Sequence, residues 1–318
     1  MTPADRPEVL ILISLMEPWH DELAREFTIR YVARAADRVA ALRAHGSSIR
    51  AIITNSTAGT DRALIDALPR LEIIALFSAG YEGIDLAAAR ERRIPVTNAP
   101  GGNAGAVADL AIGLALAAFR QIPRRDRELR AGRWDQIRSL TSTLTGKRLG
   151  LIGLGHVAKA IARRAAAFEM AIAYTKPAPD PTSPYRYIDT VEALARESDL
   201  LVVACPGGTA TRHLVNARVL AALGPSGYLV NVSRGSVVDT AALIDALEQR
   251  TIAGAGLDVY ENEPQVPERL RSLENAVLMP HTAGFTHESF RASFEIVREN
   301  LRAQFAGRPL LTPIGGAR

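Results

Sequence analysis

One cysteine in 318 residues, Cys205, excludes an intramolecular disulfide and fits a reducing, cytoplasmic setting. It ends the run LLVVAC with no activating partner close in sequence, and so reads as a buried structural thiol rather than a nucleophile. No apolar run approaches the ~20 residues of a membrane-spanning helix. The N-terminal MTPADRPEVLILISL lacks both a basic leader and a small-residue cleavage site, so neither membrane association nor a secretory signal is expected. Lysine occurs only at 147, 159 and 176, so the net charge of +4 rests almost entirely on arginine. The densest basic stretch, Arg120, Arg124, Arg125, Arg127, Arg130 and Arg133, is broken by Asp126 and Glu128 and carries no interleaved aromatics. That pattern argues against a nucleic-acid surface and for a solvated helix or a subunit-contact arm. Repeats and low-complexity segments are absent, and no metal is expected.

What is present is an alternation of apolar strand-like runs with helical spacing, in a chain long enough for two domains. Strands fall near 9–15, 28–34, 49–55, 72–78 and 94–98, with helices between them, a pattern that gives a parallel sheet. A long helix starts near Asn103 and runs to about Arg120, and Pro123 forces the chain to turn after it. A second series has strands at 148–153, 171–175, 200–205, 228–233, 253–259 and 276–280, and a last helix covers about 286–306. Asp189 and Glu192 have the spacing of a capping box. The expected organisation is one α/β domain over residues 1–99, a second over 100–285, and a closing segment, 286–318, that packs back on the first. Two lobes of this kind place a substrate cleft between them.

Two kinds of motif carry chemistry. Arg148–Ile152 reads as a buried strand, Gly153-Leu154-Gly155-His156-Val157-Ala158 follows at once, and a helical run begins at Lys159. This is a dinucleotide fingerprint in its strand–turn–helix setting, where the glycines admit the pyrophosphate and the helix N-terminus receives it. Downstream, NVSRGSVVD, GLDVYENEP and LMPHTAG each pass from an apolar run into a titratable residue: Arg234, Glu263 and His281. Ligands of open α/β sheets bind outside the carboxyl ends of strands. An arginine fork for a carboxylate, a histidine to exchange a hydroxyl proton and a glutamate to orient it suit hydride transfer to a carbonyl. Glu261 reads as an exposed loop charge, and His20, His45, His213 and His287 as core or surface histidines. The strand AIAYT ends in Tyr174-Thr175-Lys176-Pro177 and offers no acid before Asp180. NAD-binding folds place an acid there for the ribose hydroxyls, so Thr175 and Lys176 point to the 2′-phosphate of NADP(H) in preference to NAD(H).

These motifs, with FSAGYEGID (77–85) and NAPGGNAGAVADLAIGLAL (98–116), resemble the D-2-hydroxyacid dehydrogenase family, and within it the NADP-preferring glyoxylate/hydroxypyruvate and hydroxyphenylpyruvate reductases. The resemblance covers nearly the whole chain. It implies an α/β molecule of two parallel-sheet domains, a Rossmann-type nucleotide domain inserted in a flavodoxin-like substrate domain. It implies that Arg234 binds the substrate carboxylate and carbonyl oxygen, that His281 is the acid/base and that Glu263 is its partner. The backbone amides of Ala79 and Gly80 complete the carboxylate site, and Val232, Ser233 and Asp258 join the fingerprint as cofactor-binding positions. In relatives the 118–144 segment embraces a second subunit, so a homodimer is implied, with Trp134 the aromatic that reaches across. The histidine loop departs from the family pattern, reading His281-Thr-Ala-Gly-Phe-Thr where many relatives have glycine-serine after the histidine. The implied reaction is NAD(P)H-dependent reduction of a small 2-oxoacid. A non-catalytic nucleotide-sensing relative and phosphonate oxidation on the same scaffold stay open, whereas Glu263 argues against formate oxidation, whose specialists carry glutamine there.

Overall fold

The computed structural model describes residues 6–32, 34–135 and 138–315. Positions 1–5 of the N-terminal stretch and 136–137 of the arginine-rich arm lie outside the described residues. In chain order the elements are β1 (Glu8–Ile11), α1 (Glu17–Ala24), β2 (Thr28–Tyr31), α2 (Arg38–His45), β3 (Ile49–Thr54), α3 (Arg62–Asp66), β4 (Ile73–Leu76), α4 (Leu86–Glu91) and β5 (Val96–Thr97). They continue with α5 (Ala104–Arg120), α6 (Ile122–Arg130), β6 (Arg148–Ile152), α7 (His156–Ala166), β7 (Ala171–Thr175), β8 (Arg186–Tyr187), α8 (Val191–Arg196) and β9 (Leu200–Val203). The last are α9 (Ala217–Leu223), β10 (Tyr228–Asn231), α10 (Thr240–Glu248), β11 (Gly254–Leu257), α11 (Glu268–Arg271), β12 (Ala276–Leu278) and α12 (His287–Phe305).

The chain folds into two compact units, one of residues 1–103 with 287–318 and one of residues 104–286. The first holds a five-stranded parallel sheet in the order β2-β1-β3-β4-β5, the flavodoxin order. Its inner strands β1, β3 and β4 are short, mostly buried apolar runs because both faces are covered, whereas the edge strand β2 is half-buried. On one face α12 buries Phe294, Val297 and Leu301 against Trp19 and Phe77. Arg298 and Arg302 of α12 then grip Glu26, just past the end of α1.

The second unit is a seven-stranded parallel sheet in the order β8-β7-β6-β9-β10-β11-β12, the Rossmann order with one strand added. α5 and α7 cover one face, through Ala108, Ala115, Ala158 and Ile161. α8, α9 and α10 cover the other, through Leu194, Leu220 and Leu243. Among the described residues no single helix is long and apolar enough to cross a membrane. α5 and α6 pass that test only as a pair bent by 60°, and α5 spends its apolar face on the sheet.

Local details depart from the sequence reading in three places. The chain does turn after α5, at Gln121 with its left-handed φ of 54°, but Pro123 then sits in the first turn of α6, where a missing N–H costs nothing. Helix α8 is capped by Thr190, whose hydroxyl accepts from the Ala193 N–H at 3.2 Å; Glu192 instead pairs with Arg196 at 2.8 Å, so the capping box does not form. The edge strand β8, only Arg186–Tyr187, had no apolar run to announce it.

Candidate active site

In the second unit the strand ends form one row. Val203 pairs with Asn231, Asn231 with Leu257, and Leu257 with Leu278; Ile152 pairs with both Val203 and Thr175. Arg234, Glu263, His281 and the fingerprint turn all follow residues of this row by a few positions.

Arg234 follows β10 and precedes a 3-10 turn, Gly235–Val237. Asn231, 1% exposed, shapes the path: its Oδ1 accepts from the Ser233 N–H at 3.1 Å and its Nδ2 donates to the Arg234 carbonyl at 3.1 Å. The Ser233 hydroxyl donates to the Cys205 carbonyl, and the Val232 N–H reaches Val203. Val232 and Ser233, both buried, therefore sew the end of β10 to the end of β9. The guanidinium of Arg234 is itself steadied, Nη1 donating to the Ser233 carbonyl at 2.8 Å. Burial pushes the Cys205 thiol up to about 11, in keeping with a structural role.

Glu263 and His281 meet. Glu263 Oε2 lies 2.7 Å from His281 Nδ1, and Glu263 Oε1 accepts from the Tyr260 N–H at 2.9 Å. A carboxylate only accepts, so Nδ1 carries the hydrogen and Nε2 is left to exchange a proton. The His281 side chain is 45% exposed, which leaves it open to a ligand. The histidine has a left-handed φ of 56°, which costs a non-glycine residue about 1 kcal/mol or more. Asp258, 1% exposed, holds it there: its carbonyl accepts the His281 N–H at 2.8 Å, and its carboxylate accepts from Thr282 at 2.8 Å and Ala283 at 3.0 Å. Burial pushes the Asp258 carboxyl up, against the pull of those two amides and of His281. Tyr260 adds a tie from β11 to β12, its hydroxyl donating to the Met279 carbonyl at 2.8 Å.

The fingerprint forms the turn between β6 and α7. Gly153 has φ 96°, and a Cβ there would meet Ala204 O and Cys205 backbone atoms at 2.9 Å, so the turn lies flat on the end of β9. At Gly155 a Cβ would meet nothing within 4 Å, and no side chain caps α7. Open space beside the uncapped N–H groups of Leu154-Gly155-His156-Val157 suits a pyrophosphate. Gly153 N–H also donates to the Thr175 carbonyl at 2.8 Å, placing the end of β7 beside the turn. Thr175 is buried and Lys176 half-buried. Asp180 is engaged elsewhere: Thr182 and then Lys159, 3.2 Å away, hold its carboxyl down to about 2. It is therefore not a carboxylate left over for the ribose at the end of β7. Ala79 and Gly80 lie in the other unit, after β4, with their carbonyls taken by Asn98 Nδ2 at 2.6 Å and Ser78 Oγ at 2.7 Å.

Sequence reasoning missed Asn231 and Tyr260, whose roles depend on which carbonyl lies across the strand ends. It also misplaced Glu261. That side chain is 16% exposed, not a loop charge in solvent, and contacts His213 Nε2 at 2.7 Å and Arg212 at 3.0 Å. Burial alone would raise its carboxyl; hydrogen bonds from His213 and Thr240 and the Arg212 charge outweigh that and hold it below the usual range.

Comparison with known proteins identifies the family. The model of the D-isomer specific 2-hydroxyacid dehydrogenase NAD binding domain matches residues 112–283. Hydroxyphenylpyruvate reductase of Plectranthus scutellarioides is 45% identical over 309 residues, 96% of this chain and 98% of that one. A glyoxylate/hydroxypyruvate reductase of Arabidopsis thaliana is 44% identical, over 96% of this chain and 98% of its own. The crystal structure of the NADPH-dependent glyoxylate/hydroxypyruvate reductase of Sinorhizobium meliloti, in complex with NADP and malonate, superposes with a TM-score of 0.89 at 41% identity, covering 98% of this chain and 97% of that one. The chain belongs to the D-isomer specific 2-hydroxyacid dehydrogenase family.

Proposed function

We propose that the protein reduces a small 2-oxoacid, such as glyoxylate or hydroxypyruvate, to the D-2-hydroxyacid, and that it prefers NADPH to NADH. The observation that carries this reading is the 2.7 Å Glu263–His281 pair at the same row of strand ends as Arg234 and the fingerprint turn. The residues of the unit 104–286 fit the cofactor: an uncapped helix N-terminus for the pyrophosphate, and Thr175 and Lys176 for the 2′-phosphate. The nicotinamide, when bound, supplies the hydride that the carbonyl carbon takes up. Arg234 grips the substrate carboxylate and stabilises the charge gathering on the carbonyl oxygen. His281 gives that oxygen a proton from Nε2, while Glu263, bonded at Nδ1, holds the ring and stabilises the charged imidazolium. Assaying a panel of 2-oxoacids with each cofactor tests this. Inactivity on glyoxylate, hydroxypyruvate and hydroxyphenylpyruvate alike overturns it.

Cofactor preference has its own test. A 2′-phosphate bound by Thr175 and Lys176 gains charge-assisted hydrogen bonds of roughly 1.5–3 kcal/mol, which is a preference of about 10–150-fold. Lys176→Asp is expected to weaken NADPH by repulsion and to strengthen NADH through the ribose hydroxyls, inverting the ratio of specificity constants. Equal use of both cofactors, unmoved by the substitution, refutes the preference.

The arm after α5 supports a homodimer. Ile122, Leu129, Trp134 and Leu140 all expose their side chains along it, an apolar series that a single copy leaves in water. Sedimentation at micromolar concentration is expected to give twice the 34.2 kDa chain mass, and a monomer mass counts against the assembly.

A further inference from the structure

We infer that His213 and Glu261 form a positioning brace that locks the Arg234 turn to the Glu263 loop; this rests on the 2-oxoacid reductase reading. Neither residue belongs to the trio, yet the pair stands where two of its loops touch. Gly235, next to Arg234, lies so close to the following strand end that a Cβ would meet Tyr260 C at 1.8 Å and Glu261 N at 2.3 Å. The backbone of the Arg234 turn therefore rests directly on the Tyr260–Glu261 peptide. On one side of that peptide, the N–H of Tyr260 holds Glu263 at 2.9 Å. On the other, the Glu261 carboxylate runs to His213 Nε2 at 2.7 Å and Arg212 at 3.0 Å. His213 returns to the arginine turn through its own main chain, its N–H donating to the Ser236 carbonyl at 2.9 Å, followed by Val215 to Val237 at 3.0 Å. The loop is closed: Arg234 turn, His213, Glu261, Tyr260, Glu263.

The pair touches neither substrate nor cofactor in this scheme and acts only by keeping Arg234 and Glu263 in register. Displacement of a catalytic constellation by about 1 Å costs on the order of 10²-fold, so a loosened brace is costly although it touches no reacting group. His213→Ala, Glu261→Ala and the double variant test this, with Glu261→Gln, which keeps an acceptor for His213, as the conservative control. In Glu261→Ala, amide hydrogen exchange is expected to quicken in both 234–238 and 260–263. In the same variant kcat for a 2-oxoacid falls and its KM rises, together on the order of 10–100-fold in kcat/KM. NADPH affinity stays at the wild-type value, Glu261→Gln recovers most of the loss, and the double variant is no worse than the poorer single. Unchanged exchange, additive single effects, or a fall in kcat with KM intact and a lowered Tm each overturn the brace. A wild-type protein idle on every 2-oxoacid defeats the activity reading instead, and the exchange experiment still decides the brace.

Discussion

Replacing His281 with Asn is expected to cut turnover of a 2-oxoacid by about 10²–10⁴-fold, the usual contribution of a general acid–base group. The dissociation constant for NADPH should stay near its wild-type value. The geometry separates the two effects. His281 hangs from the end of β12, its ring held by Glu263 and its main chain by Asp258. The fingerprint turn lies at the end of β6, separated in the sheet order by β9, β10 and β11. Asn keeps the left-handed conformation that His281 adopts, since asparagine is among the residues that tolerate it, so the loop is preserved and only the proton donor is lost. Steady-state kinetics with a fluorescence titration of NADPH reads both numbers. Near-normal turnover removes His281 from the mechanism.

The second large effect belongs to Arg234. Lysine there keeps the charge but not the planar fork. Losing one of two charge-assisted hydrogen bonds removes about 1.5–3 kcal/mol, so the specificity constant should fall roughly 10–150-fold for every 2-oxoacid, whatever its side group. The loss is expected mainly in KM for the carboxylate, with part in kcat, because the proposed role of the guanidinium includes the reacting oxygen. The Nη1 bond to the Ser233 carbonyl fixes the aim of arginine, and a lysine ammonium that takes up this bond has that much less to give the substrate. Wild-type kinetics in Arg234→Lys reassign Arg234 to a structural role.

Much of this was legible in the chain because the relevant signals are local. The β6–turn–α7 unit declares itself by glycine spacing, and its neighbours by apolar runs of strand length that stay buried on both faces. The trio was legible for the same reason, each member following its strand by a few residues. What stayed hidden depends on register. Glu261 and Glu263 are two similar acids in one loop; the resemblance assigned Glu263 to His281, where the fold has it, but only the folded chain shows Glu261 turned to His213. Thr190 displaced Asp189 as the cap of α8 because a shift of one residue decides which oxygen meets the Ala193 amide. The strand β8 escaped notice because a two-residue edge strand has no periodicity to read.

The row of strand ends has a consequence for how such a site changes with time. Arg234 stands three positions past the last residue of β10, and His281 three past that of β12. Those short offsets, not the distances along the chain between the two residues, hold the chemistry in place. A residue added inside an offset breaks the contacts that aim the side chain, Asn231 Nδ2 to the Arg234 carbonyl and the His281 N–H to the Asp258 carbonyl. The same residue added in the exposed turn at Pro225–Ser226, between α9 and β10, meets solvent and leaves the count past the strand end unchanged. The molecule is therefore brittle at a few spacings and permissive nearly everywhere else, so length variation has free rein in the excursions while the strand-to-residue count behaves as a fixed gauge.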